Sequence, residues 1–200
     1  MDNVSPVFRY DRDNFFDQSL GNPQPLTPET AGHSHVSEGA VYGAPPELPP
    51  LSAEDVLIMG RFETYHSVLS ASHRSIYTEV RISVQKVIGQ GAGQHISSRT
   101  DLVIAIPGGT VQLSDGRIIS YLTDDRQYSI QPDHTYFLLL GHQNLGDFYV
   151  LEKSWDVTGG VGKPNTPFEV ERANKGQSRL TGLSVDAAVS ELKKMASISR

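Results

Sequence analysis

Apolar and polar residues alternate most clearly in "SIYTEVRISVQKVIG", residues 75–89. Thr78, Val80, Ile82 and Val84 fall on one side, and Glu79, Arg81, Ser83 and Gln85 on the other. The period of two predicts a strand with one buried and one solvated face, as in antiparallel sheets. "DVLIMGRFETY" (55–65) predicts a strand before it. "DLVIAI" (101–106) predicts one after it, apolar on both sides. "TVQLS" and "RIISYL" flank Asp115-Gly116, a dipeptide suited to a type I′ hairpin because both central residues of that turn need φ > 0. "TYFLLLG" (135–141) and "DFYVLEKSW" (147–155) predict a further hairpin across "HQNLG".

Five to seven strands thus follow one another with no helical pattern between them, which favours an all-β barrel or sandwich over a parallel α/β sheet. A loop, "DVTGGVGKPNTP", precedes a short strand-like "FEVER". The chain closes on a predicted helix, "LSVDAAVSELKKMAS". Ser184 suits the N-cap, Asp186 the first turn, and Lys193 and Lys194 the last. Val185, Val189, Leu192 and Ala196 share a face that would pack on the sheet.

Composition changes the picture at the N-terminus. Eight of the twelve prolines lie in residues 1–50, and that stretch carries seven acidic and two basic residues. Proline fixes its own φ and pushes its predecessor out of the helical region. Residues 1–50 therefore predict a disordered or extended acidic arm. The exception is "NFFDQSL", where Phe15, Phe16 and Leu20 form a local cluster or dock on the body. The remaining 150 residues hold 15 basic and 16 acidic residues, a net of −1, which argues against nonspecific phosphate binding. The expected organisation is an arm over 1–50, a β body over 51–157, and a loop, short strand and helix over 158–200.

Candidate chemistry is sparse. The absence of cysteine excludes disulfides, thiolate catalysis and cysteine-ligated zinc. "GQGAG" (89–93) follows a strand but has Gln94 where a dinucleotide fingerprint needs glycine or alanine, and a strand rather than a helix follows. "GGVGKPN" lacks the P-loop's first glycine, with Val157 in its place, and Pro164 replaces the magnesium-binding hydroxyl. "IPGG" reads as punctuation: Pro107 ends a strand, and Gly108 and Gly109 let the backbone turn. His33, His35, His66, His73, His95, His134 and His142 stand at no metal-ligand spacing and read as surface residues. Asp124 and Asp125 would point to opposite faces of a strand and mark a turn. Arg117, Tyr121, Arg126 and Tyr128 form a cationic and aromatic set around one hairpin, either a binding patch or a solvated face. No catalytic, cofactor-binding or metal-ligating residue is assigned, and no cofactor is implied. No apolar run reaches the length of a membrane span. The first residues lack a signal peptide, implying the cytoplasm if Met1 starts translation.

The segments "EDVLIMGRFETYHSVLSASHRSIYTEVRISVQKVIGQGAGQHI", "LVIAIPGGTVQLSDGRIISY" and "YFLLLGHQNLGDFYVL", about residues 54–155, resemble a group of small, largely uncharacterised bacterial exported proteins. The opening two strands are also similar to the netrin-like, OB-type barrel of metalloproteinase inhibitors. The resemblance implies an antiparallel five-stranded OB-like β-barrel with a C-terminal α-helix, and export. It does not carry the inhibitor mechanism, which needs an N-terminal cysteine. The resulting expectation is a non-enzymatic binding or interaction module whose loops 64–75 and 89–100 contact a protein or small ligand. Its alternatives are a hydrolase with converging His and Asp residues, and single-stranded nucleic-acid binding.

Overall fold

A computed structural model describes residues 6–19, 25–26, 47–121, 130–145, 147–165 and 167–197. The elements in chain order are α1 (Pro6–Ser19), β1 (Asp55–Leu69), β2 (Ile76–Gln90), β3 (Asp101–Pro107), β4 (Gly109–Gln112), β5 (Ile118–Tyr121), β6 (Thr135–Gln143), β7 (Phe148–Asp156), β8 (Lys163–Pro164), α2 (Pro167–Asn174) and α3 (Val185–Ser197).

β1, β2, β3, β6 and β7 are strands that alternation and apolar runs predicted. They join β8 in a six-stranded sheet of order β3-β2-β1-β6-β7-β8. β4 and β5 form a separate two-stranded sheet. The five-stranded OB-like barrel expected from the resemblance is corrected here. The sheet coils until β3 touches β7, but that parallel contact covers only Ile104↔Tyr149 and Ala105↔Val150. The other end of β7 is engaged by β8, through Trp155↔Pro164 and Asp156↔Lys163. A two-pair contact is not the continuous ladder that closes a barrel, and the expected mainly β body is a coiled six-stranded sheet instead.

Successive side chains on a strand point to opposite faces, and this chain buries both. One face gathers Val56, Ile58, Phe62, Val80, Ile82, Val84, Ile104, Tyr136, Leu138 and Leu140. The opposite face carries Leu57, Phe137, Leu139 and Trp155 beneath Ala188, Val189, Leu192 and Met195 of α3. Runs such as "VLI" and "YFLLL" lack alternation because both of their faces are covered. Ile88 joins the α3 side because the β1–β2 ladder slips between Met59 and Gly60, where Met59 pairs Lys86 and Gly60 pairs Val84, so that Val87 takes the core side and Ile88 the other. A one-residue bulge turns the following side chains to the other face.

α3 begins as expected. Ser184 Oγ accepts the Ala187 N–H at 3.4 Å, so it caps the helix. The strand expected at "FEVER" is instead α2. Pro167 stands at the first helical position, where its missing N–H costs nothing. Glu169 and Arg172 then lie one turn apart and pair across 3.6 Å. α1 is a helix within the arm that its proline content did not predict. Pro6 starts it, and the remaining prolines of the arm lie beyond its end.

The "IPGG" punctuation is as expected: Gly108 has φ 90° and Gly109 φ 146°. The Asp115-Gly116 turn differs in type. Gly116 alone has positive φ (86°), Gly116 N–H bonds Leu113 O at 3.0 Å, and Leu113 N–H bonds Arg117 O at 2.8 Å. That is a type I turn closed by a glycine bulge rather than type I′. A side chain at Gly109 would strike the Ser67 and Thr78 hydroxyls, whereas one at Gly116 meets open space. Gly116→Ala is expected to cost about 1–2 kcal/mol from backbone conformation alone. Gly109→Ala is expected to cost more, because strain and collision add. Urea titrations of the two variants compare them; equal losses would contradict the close approach.

Candidate functional site

The two loops nominated from sequence meet different fates. The β1–β2 loop, residues 70–75, is covered by α1. Asp17 of α1 accepts the hydroxyls of Ser70 and Ser75 at 2.8 and 2.7 Å, and that of Ser72. Asp13 accepts the Tyr77 phenol at 2.9 Å and the Ala71 N–H at 2.9 Å. Of the two readings for Phe15 and Phe16, the docked one is observed. Phe16 is fully buried and stacks on Tyr77 with ring centroids 4.6 Å apart.

The β2–β3 loop lies at the other end of the sheet and enters a polar cluster. Gly91 and Gly93 of "GQGAG" hug the start of β1. Their N–H groups bond Asp55 O at 2.8 Å and Ala53 O at 3.1 Å, and a side chain at Gly91 would collide with the backbone oxygens of Ser52 and Ala53. These glycines serve close chain packing. The packing aims Gln94 at two partners. Its amide donates to Glu54 Oε2 at 3.1 Å, and its carbonyl accepts the Tyr149 phenol at 2.6 Å.

His142, near the end of β6, completes the cluster. Its backbone N–H donates to the Glu54 carbonyl at 3.0 Å. Its Nδ1 lies 3.7 Å from Glu54 Oε2 and its Nε2 3.1 Å from Asp147 Oδ1. Asp147 reaches back because it adopts φ 46° in the β6–β7 turn, a conformation aspartate tolerates better than most residues. The ring also packs on Tyr149, centroids 4.9 Å apart. Burial first, then the charges of Asp147 and Glu54, push the Tyr149 phenol above its usual range. It therefore stays a neutral donor to Gln94. A half-buried histidine, a phenol and an amide are thus fixed beside two more exposed carboxylates. Leu145, 77% exposed, stands in the same turn.

The other sequence candidates are placed as follows. His134 pairs with Asp156 at 2.9 Å, at the opposite end of β6 from His142 and roughly 26 Å away at strand rise. His66 Nε2 lies 3.1 Å from Glu79. His73 sits in the β1–β2 loop with φ 60°, and His95 is exposed. Among the described residues, no three histidine or acidic side chains converge as a metal site requires. The Arg117 and Tyr121 pair does not form a patch: Arg117 pairs with Asp115 at 2.7 Å, whereas Tyr121 is buried with Leu26, Ile76 and Ile119. "GGVGKPN" carries β8, with Gly162 packed against the Leu180 carbonyl. His33, His35, Asp124, Asp125, Arg126 and Tyr128 lie outside the described residues. Among the described residues, no helix is long and apolar enough to cross a membrane.

The His134–Asp156 pair has a measurable consequence. Burial works to raise the Asp156 pKa, but the Thr158 N–H and the His134 ring favour the carboxylate and together outweigh it, so the group titrates below its usual range. The folded pKa lies below the unfolded value of about 3.9. The contribution to stability is therefore present above that value and lost as pH falls through the folded pKa. Asp156→Asn is expected to lower stability near neutrality and flatten the acid limb of the stability curve below about pH 4. Urea titrations across that range check this; an unaltered acid limb would contradict it.

No protein-family model and no curated protein matches the sequence. Together with the unclosed sheet, this removes the support for membership of the OB-like, netrin-type group to which the strand motifs pointed.

Proposed function

We propose that the protein is a non-enzymatic interaction module. Its contact surface is the end of the sheet built from Glu54, the β2–β3 loop, His142 and the β6–β7 turn. The observation that carries this reading is the contrast between the two ends. The β1–β2 loop is already engaged by α1, whereas the β2–β3 end holds its polar groups in fixed positions beside an exposed leucine. Gln94, Tyr149 and His142 fix one another, so a ligand meeting them need not order them first. The rim carboxylates, Glu54 and Asp147, repel a phosphate backbone. That favours a protein or small polar ligand over nucleic acid.

A photo-crosslinking residue at position 145 of the full chain tests the reading. We expect one saturable adduct in extracts of the native cell, competed by unlabelled protein and lost in Asp147→Lys. The same probe at position 170, an exposed site on α2, is expected to give none. Equal labelling at 145 and 170 would contradict the assignment.

A further inference from the structure

We propose that α1 is a releasable strap, folded only while docked, whose departure bares an aromatic face of the sheet. The helix has little to hold it together alone. It has 14 residues, no acidic side chain in its first turn and no basic one in its last. Isolated helices of about that length are marginal in water. Its order comes from what it touches. Phe16 inserts among Val68, Tyr77, Phe148 and Val150, and Phe15 meets Phe148 edge-on at 5.6 Å. Arg12 pairs with Glu79 at 3.0 Å and lies 5.2 Å above the Phe148 ring.

Two features make this contact separable from the body. First, the sheet has its own core, formed by β1, β2, β3, β6 and β7, to which α1 contributes no residue. Second, the docking is imperfectly satisfied. Arg12 Nε is buried without a hydrogen-bond partner, and such a group offsets part of what docking gains. The Asp17 carboxylate and its three serine hydroxyls, at the margin of the contact, act as the latch. Release leaves Tyr77, Phe148 and Val68 exposed around the Glu79 carboxylate. α1 is the segment that fits this face, with an aromatic residue for the rings and Arg12 for the acid. This rests on a different face from the interaction surface proposed above, so either reading stands without the other.

Hydrogen exchange of the full chain, read by mass spectrometry, tests the strap. In the unaltered protein, α1 amides are expected to exchange at least about 100-fold faster than those of β1 and β6, as a unit of lower local stability does. Asp17→Asn is expected to speed α1 exchange by about tenfold, the size expected for losing a charge-assisted hydrogen bond. Phe16→Ala should speed it further, and neither change should alter exchange in β6. Exchange of α1 and β6 at one common rate would overturn the proposal. So would an Asp17→Asn variant whose α1 rate is unchanged. If Phe16→Ala unfolds the whole chain, α1 belongs to the cooperative core and the proposal fails.

Discussion

Both faces of the β1–β2–β6 sheet have to be covered, and the rest of the molecule follows from that requirement. A sheet strand presents alternate residues to opposite sides. Here Val56, Ile58, Tyr136, Leu138 and Leu140 fill one side, whereas Leu57, Phe137, Leu139 and Trp155 need a cover on the other. α3 supplies it for the middle of the sheet. α1 supplies it at the β1–β2 end, where Tyr77 and Glu79 would otherwise face water. Glu79, 2% exposed, is met by Arg12 at 3.0 Å on one oxygen and by His66 at 3.1 Å on the other.

The arm thus belongs to the architecture at defined points. Phe16, Leu26 and Leu48 are buried in three separate clusters, two of which cover the β1–β2 hairpin and the third α3. A second buried polar set secures the last of these. Glu47 accepts the Ser178 hydroxyl at 2.6 Å and the Arg179 N–H at 2.7 Å, and its carbonyl accepts from Lys153 at 3.0 Å. Lys153 and Glu169 lie 3.8 Å apart. Burial pushes the Lys153 pKa down and the Glu169 pKa up, so desolvation disfavours both charges despite their attraction. A buried pair of this kind adds little net stability, because desolvation offsets the attraction. This one ties the arm, β7 and α2 into one arrangement.

Local pattern made much of the framework legible. Strong alternation located β2, Gly108 and Gly109 marked a reversal, and Ser184 marked the start of α3. Three things were not legible, for physical reasons. α1 lacks an apolar stripe strong enough to announce a helix: among its described side chains, Phe15 and Phe16 dock through their rings, whereas Arg12, Asp13 and Asp17 bind through polar groups. Glu79 looked solvated because Arg12, which covers it, lies 67 residues away. α2 looked like a strand because "FEVER" alternates, and its helical pairing of Glu169 with Arg172 becomes visible only when Glu169 is seen buried. The candidate site was the least legible part. Glu54, Gln94, His142, Asp147 and Tyr149 come from separate loops and strand ends, so no spacing in the chain marks them. The glycines of "GQGAG" were the one local signal, and they report close packing against Ala53 rather than ligand chemistry.

The position of Phe16 tests the covering of the sheet most directly. Proton–proton Overhauser measurements on the full chain should show contacts from the Phe16 ring to the rings of Tyr77 and Phe148, whose centroids lie 4.6 and 6.0 Å away. A Phe16 ring with only sequential contacts, beside a Tyr77 ring open to solvent, would contradict the account.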